Sequence, residues 1–286
     1  MREIVVLSGK GGTGKTTVLA SFAALADNSV LCDCDVDAPN LHLLLAPQAE
    51  EAHEFYGLQV AHIDTAACNE CGLCVDACRF EAIRGCQVDP LACEGCRLCA
   101  RVCPLDAISM RDTLAGHWYL SNTKHGPLVH ARLRAAQENS GKLVMAVRKR
   151  AREIAQEMNA RYILSDGPPG IGCPAISSLS GAGIALIVSE PSLSGIHDLG
   201  RVLGLCHHFR VNPLVCVNKY DLSEENSRRI EDYCGDAGVE VVGRIPFDPD
   251  VNSAIVQGRP VVEMSDGAAS REIRTLWEAI ATRPVP

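Results

Sequence analysis

Short, mostly apolar runs recur along this chain, at residues 4–7, 30–32, 162–164, 184–188, 214–217 and 239–245. Stretches with apolar residues at helical spacing lie between several of them, notably 16–26, 147–158 and 224–234. Runs this short suit strands, and unbroken apolar character implies burial on both faces. Strands alternating with helices in this way predict an α/β fold, with a doubly wound, mainly parallel sheet. Residues 61–110 break the rhythm. Residues 111–145 give no clear assignment beyond a turn at Gly126-Pro127.

The irregular stretch is where the cysteines gather: nine of the chain's fifteen lie between Cys68 and Cys103. It contains two similar halves, Cys68-Asn-Glu-Cys71-Gly-Leu-Cys74-Val-Asp-Ala-Cys78 and Cys93-Glu-Gly-Cys96-Arg-Leu-Cys99-Ala-Arg-Val-Cys103, offset by 25 residues. Glu81-Ala82-Ile83 follows the first and Asp106-Ala107-Ile108 the second. So short a segment buries too little apolar surface to fold by that means alone. The expected organisation is a discontinuous α/β domain, 1–60 and 111–286, with a small inserted α+β module at 61–110.

Both halves fit the C-x₂-C-x₂-C-x₃-C run of bacterial two-cluster ferredoxins, in which the fourth thiolate serves the other cluster. On that pattern one [4Fe–4S] cluster takes Cys68, Cys71, Cys74 and Cys103, and the other takes Cys93, Cys96, Cys99 and Cys78. Tetrahedral zinc is the alternative, although zinc ribbons separate their cysteine pairs by longer loops. Arg79 stands where proline usually follows the fourth cysteine, while Pro104 keeps that pattern. Cys86 has no place in the scheme and reads as a free thiol. Cysteines 32, 34, 206, 216 and 234 mostly read as small hydrophobes. Cys173, in Gly172-Cys173-Pro174, is placed to meet a symmetry mate, with a bridging metal as the alternative to a plain thiol.

The net charge is −8 and there is no long basic run, so duplex nucleic acid is not expected as an obligatory partner. The N-terminus lacks the pattern of a signal peptide, and no stretch reaches about 18 apolar residues. A cytoplasmic protein is expected. Ile273, Leu276, Trp277 and Ile280 share a helical face with few basic neighbours, which reads as a helix docked on the sheet rather than a membrane anchor.

Gly9-Lys10-Gly11-Gly12-Thr13-Gly14-Lys15-Thr16 fits G-x-x-x-x-G-K-[ST] and lies between the first strand and the first helix. Backbone N–H groups of such a loop, through Thr17, wrap phosphates; Lys15 reaches the outer phosphates and Thr16 offers a hydroxyl to Mg²⁺. With its second lysine, Lys10, the loop resembles the deviant Walker A motif of the MinD/ParA/nitrogenase-iron-protein group of P-loop ATPases. The resemblance implies that Lys10 reaches the nucleotide of the opposite subunit in an ATP-bound dimer. It assigns Asp33 to the magnesium shell and Asp35 to polarising the attacking water. Asp166, in Asp166-Gly-Pro-Pro-Gly170, would hold Mg²⁺ through water, and Gly170 would sense the γ-phosphate. Asn218 would contact adenine, with Pro246 and Asp248 beside base and ribose. Solvated turns remain the alternative for these acidic and base-side positions.

Taken whole, the chain resembles MinD-superfamily ATPases containing an inserted ferredoxin domain. That resemblance implies ATP or ADP, Mg²⁺ and two [4Fe–4S] clusters as ligands. It also implies Mg-dependent ATP hydrolysis in a nucleotide-dependent homodimer, or a heterodimer with a paralogue. The expected role is to couple hydrolysis to electron transfer or metallocluster maturation for a partner, with a molybdenum–copper orange protein as one candidate. A MinD/ParA-like positioning ATPase with redox-sensing clusters and an Mrp-like cluster carrier are the competing readings.

Overall fold

The computed structural model describes residues 1–134 and 140–283. The chain begins β1 (Arg2–Ser8), α1 (Lys15–Leu25), β2 (Ser29–Asp33), α2 (Leu41–Leu45) and β3 (Gln48–Ile63). Small elements follow: α3 (Leu73–Ala77), β4 (Ile83–Arg84), β5 (Gln87–Val88) and α4 (Leu98–Val102). Then come β6 (Ile108–Thr123), β7 (Gly126–Leu133), α5 (Ser140–Glu157), β8 (Tyr162–Pro169), α6 (Cys173–Leu179) and β9 (Ile184–Ser189). The chain closes with α7 (Leu193–Phe209), β10 (Asn212–Asn218), α8 (Glu224–Asp236), β11 (Glu240–Ile245), α9 (Pro249–Val256) and α10 (Ala268–Ala281). Two compact units result. One comprises Met1–Ala52, Trp118–Arg132 and residues 140–283; the other comprises His53–His117 with residues 133–134.

In the first unit β1 pairs in parallel with β8 and β9, β10 with β9 and β11, and β2 with β8 and β7. The full strand order is β11-β10-β9-β1-β8-β2-β7-β6-β3. Alternate residues of single strands feed different cores. Ile4, Val6, Ile184, Leu186, Leu214 and Cys216 pack with Val18 and Phe22 of α1. Val5, Leu7, Ala185, Ile187, Val215 and Val217 pack with Leu199 and Val202 of α7 and Ile230 of α8. Helices on both faces explain why the central residues of these strands are apolar. The α10 face Ile273, Leu276, Trp277 and Ile280 is buried. Its Trp277 ring lies 5.2 Å from Phe22 and 5.1 Å from Tyr162, so this helix is docked on the sheet.

Residues 111–134 hold the rest of β6 and all of β7; α5 begins at Ser140, and residues 135–139 lie outside the described residues. The turn falls on Lys124-His125, two residues earlier than expected, and Gly126 opens β7. At φ +121° it runs against the Ser29 carbonyl, where any Cβ would collide.

The second unit shows the sequence repeat in its backbone. Helices α3 and α4 are offset by 25 residues. So are the left-handed positions Glu70 and Gly95, Gly72 and Arg97, and Glu81 and Asp106. Its core is small: Ala61, Ile63, Ile83, Cys99 and Ile108, with Cys68, Cys74, Cys78, Cys86, Cys93 and Cys103 packed around them. Sulfur takes the place that aliphatic side chains fill in the first unit.

Candidate functional site

The first candidate site is the loop between β1 and α1. Gly12 and Gly14 adopt φ of +80° and +95°, and Gly14 is the residue from which α1 starts. These left-handed steps turn successive N–H groups toward one side, where the helix N-terminus adds positive potential. Gly11 and Gly12 are exposed, Thr13 and Lys15 are buried, and Thr17 lies in the first turn of α1. Gly9 backs onto Asp198 of α7 so closely that a Cβ would overlap it.

Three acidic residues converge behind the loop. Thr16 Oγ1 donates to Asp166 Oδ2 at 2.6 Å. Asp33 and Asp166 are register partners on β2 and β8. Asp33 accepts the amides of Asp35 and Leu41 at 3.0 and 3.1 Å. Burial pushes the Asp166 carboxyl up to about 6 against the pull of Thr16 and Lys15. Burial raises Asp33 well above the ordinary carboxylate range too, with the Asp166 charge adding to it. Asp35 is also raised, chiefly by burial. Asp166 Oδ1 is buried without a hydrogen-bond partner. A hydroxyl, an orphaned carboxylate oxygen and a second buried carboxylate form an all-oxygen set of the kind that suits Mg²⁺, directly or through water.

Asn218 and Asp248, read as base-side residues, have partners within the chain. Asn218 Nδ2 donates to the Thr13 carbonyl at 2.7 Å, and its Oδ1 accepts the Lys219 amide at 3.0 Å. Asn218 therefore braces the phosphate loop, with a single N–H to spare for a base. Asp248 caps α9, its oxygens accepting the amides of Asp250 and Ala269 at 3.0 and 3.1 Å. Both of its carboxylate oxygens are already engaged. Pro246 is half-buried just after β11, and Gly170, at φ +84°, donates its amide to the Ser8 carbonyl at 2.9 Å.

Lys10 does not extend away from its own chain. Its ammonium sits 2.5 Å from Glu190 and 3.0 Å from the hydroxyls of both Ser192 and Ser194. Lys219 approaches Glu190 at 3.8 Å and the Gly12 carbonyl at 3.4 Å. Glu190, Ser192, Ser194 and Lys219 were not legible as partners of the loop. Their only signal is position, just beyond the ends of β9 and β10.

The second candidate site lies in the cysteine unit, where the thiols divide between two cavities. One, of ≈130 Å³, is lined by Cys68, Cys71, Cys74, Cys103 and also Cys86. The other, tighter at ≈20 Å³, is lined by Cys78, Cys93, Cys96 and Cys99. Each half of the repeat thus sends three cysteines to one cavity and its fourth to the other. Cys68 Sγ accepts the Glu70 amide at 3.4 Å and Cys103 Sγ the Ala107 amide at 3.3 Å. Such bonds stabilise thiolate and tune clusters held by it. Among the described residues, no three His, Cys, Asp or Glu side chains are grouped so as to hold a single metal ion. Mononuclear Cys₄ zinc requires that convergence. A four-iron cubane does not, since each thiolate meets a different iron, and four thiols around one cavity suit that donor set.

Residues 4–261 match the CobQ/CobB/MinD/ParA nucleotide binding domain. The chain belongs to the MinD/ParA-like family. Over 281 residues, 97% of this chain and 96% of the other, it is 31% identical to an uncharacterised protein of Methanocaldococcus jannaschii. A putative septum site-determining protein MinD of Tupiella akineta is 30% identical over 91% of this chain and 71% of that protein. The MinD cell division protein of Aquifex aeolicus superposes with a TM-score of 0.58 and 25% identity, over 100% of this chain and 99% of that one. MinD/ParA membership accounts for the mainly parallel sheet and for a nucleotide loop between β1 and α1. No helix among the described residues is long and apolar enough to cross a membrane.

Proposed function

We propose that this MinD/ParA-family protein is a Mg-dependent ATPase that carries two [4Fe–4S] clusters and uses ATP turnover to time electron delivery or cluster maturation for a partner protein. One observation carries the reading: the crossed division of eight cysteines, three plus one, between two cavities of the same unit. In that reading Cys68, Cys71, Cys74 and Cys103 hold one cluster and Cys78, Cys93, Cys96 and Cys99 the other. When bound, such clusters supply one-electron chemistry.

On the nucleotide side, loop amides 9–17 and Lys15 hold the phosphates, while Thr16 and Asp166, with Asp33 behind them, hold Mg²⁺. Asp35 orients the attacking water. Phosphoryl transfer depends on positioning and charge compensation, which these groups provide. Lys10 would leave Glu190 to reach a second subunit's nucleotide. Coupling requires that ATP bind one conformation better than another.

The test begins with anaerobic purification. Iron and acid-labile sulfide are counted, and ATP hydrolysis is assayed with and without reductant. Cluster potentials are then compared with ATP, with ADP and with no nucleotide. About eight irons per chain and a nucleotide-dependent potential are expected. Stoichiometric zinc would reject the clusters, and identical potentials in all three states would reject the coupling.

A second reading, a positioning ATPase with redox-sensing clusters, draws on the likeness to septum-site MinD proteins. Burial of the apolar face of α10 counts against that helix as a membrane anchor. ATP-dependent sedimentation with anionic vesicles would favour this reading, and its absence the first.

A further inference from the structure

The larger cysteine cavity has a fifth thiol. Cys86 Sγ lies 3.7 Å from Cys68 Sγ, and both line the cavity with Cys71, Cys74 and Cys103. The backbone puts it there. β4 and β5 pair Ile83 with Val88 and Arg84 with Gln87, so Gly85-Cys86 forms a two-residue hairpin loop. Gly85 takes φ +58°, the left-handed turn such loops require, and this fixes the position of the next residue. The repeat sharpens the point. Twenty-five residues on from Cys86 stands Arg111, and the other cavity is lined by four cysteines with no fifth. The extra sulfur is thus a property of one cavity.

We propose that Cys86 is an exchangeable ligand of the cluster in this cavity, alternating with Cys68 on one iron; the inference rests on the cluster reading above. Two sulfurs this close can serve the same corner in turn but not together without changing its coordination. In the exchange, the Fe–S bond to Cys68 breaks as one to Cys86 forms. The proton of the Cys86 thiol passes to the Cys68 sulfur. No electron moves and the net charge is unchanged. This cluster therefore tolerates loss of the Cys68 sulfur, and its partner has no such reserve.

The experiment uses the full chain, purified without oxygen, as wild type and as Cys68→Ala, Cys93→Ala, Cys86→Ala and Cys68→Ala/Cys86→Ala. Iron and sulfide are counted per chain and electron paramagnetic resonance spectra are taken after reduction, while nucleotide binding reports on the fold of the first unit and calorimetry on that of the second. Wild type, Cys86→Ala and Cys68→Ala are expected to hold about eight irons, the last with an altered signal from one cluster. Cys93→Ala and the double variant are expected to fall to about four. A Cys68→Ala protein as iron-poor as the double variant would overturn the exchange while leaving the clusters standing. So would a Cys93→Ala protein that keeps all its iron. A wild type without iron would remove the clusters and the exchange together.

Discussion

Asp33 and Asp166 face each other on neighbouring strands, and their carboxyls ionise reluctantly because water is shut out. The folded Asp166 pKa of about 6 exceeds its ordinary 3.8. Between those values the folded protein keeps a proton that the unfolded chain releases. Stability from this group is therefore present at low pH and is lost as pH rises through about 6. Asp166→Asn should stabilise the nucleotide-free protein at pH 7 by on the order of 2 kcal/mol and abolish ATP hydrolysis, as checked by denaturation and by phosphate release. Mg²⁺ with ADP should flatten the pH dependence of the wild-type Tm across that window. The Lys10–Glu190 pair is a different case, with both side chains partly exposed. Pairs of this kind contribute about 0.2–1 kcal/mol. Glu190→Gln should thus lower the ATP concentration needed for dimer formation several-fold at most, measured by sedimentation velocity. The loop lysines and acidic residues were legible because each sits in a local motif. Glu190 was not, since its partner is 180 positions away and the contact depends on strand order.

Strands β1, β2, β8, β9 and β10 could be read because burial on both faces leaves each with an unbroken apolar run. β3 was missed for the opposite reason. Its sequence, Gln48 to Ile63, carries Glu51, His53 and Glu54, exposed along the strand, and offers no apolar run to recognise. β6 shares this character at Arg111 and Asp112. Helices α3 and α4 are five residues each, too short for periodicity to show, and it is the cysteine spacing that marks them. The repeat also contains its own control. Glu70 holds φ +59° where the second half has Gly95, and a non-glycine residue there is strained by roughly 1 kcal/mol. Glu70→Gly should raise stability by up to about 1 kcal/mol, visible as a higher denaturant midpoint with unchanged iron content.

The two units rely on different forces. The first buries extensive apolar surface on both faces of a sheet, whereas the second gathers cysteines around a handful of aliphatic side chains. Removing iron from the anaerobic protein with a chelator should therefore unfold the second unit. The first should keep its fold and its nucleotide affinity. Calorimetry would then show one transition lost and one retained, while a single unchanged transition would contradict the proposed clusters. The arrangement of the eight cysteines also bears on how the protein is made. During synthesis the thiols lining the tighter cavity are all present once Cys99 has emerged, and those of the larger one once Cys103 has. The two linings thus reach completion almost together, because the last cysteine of each half is lent across to the other. A nascent chain cut short after the first half would offer three thiols to one lining and one to the other, and could finish neither.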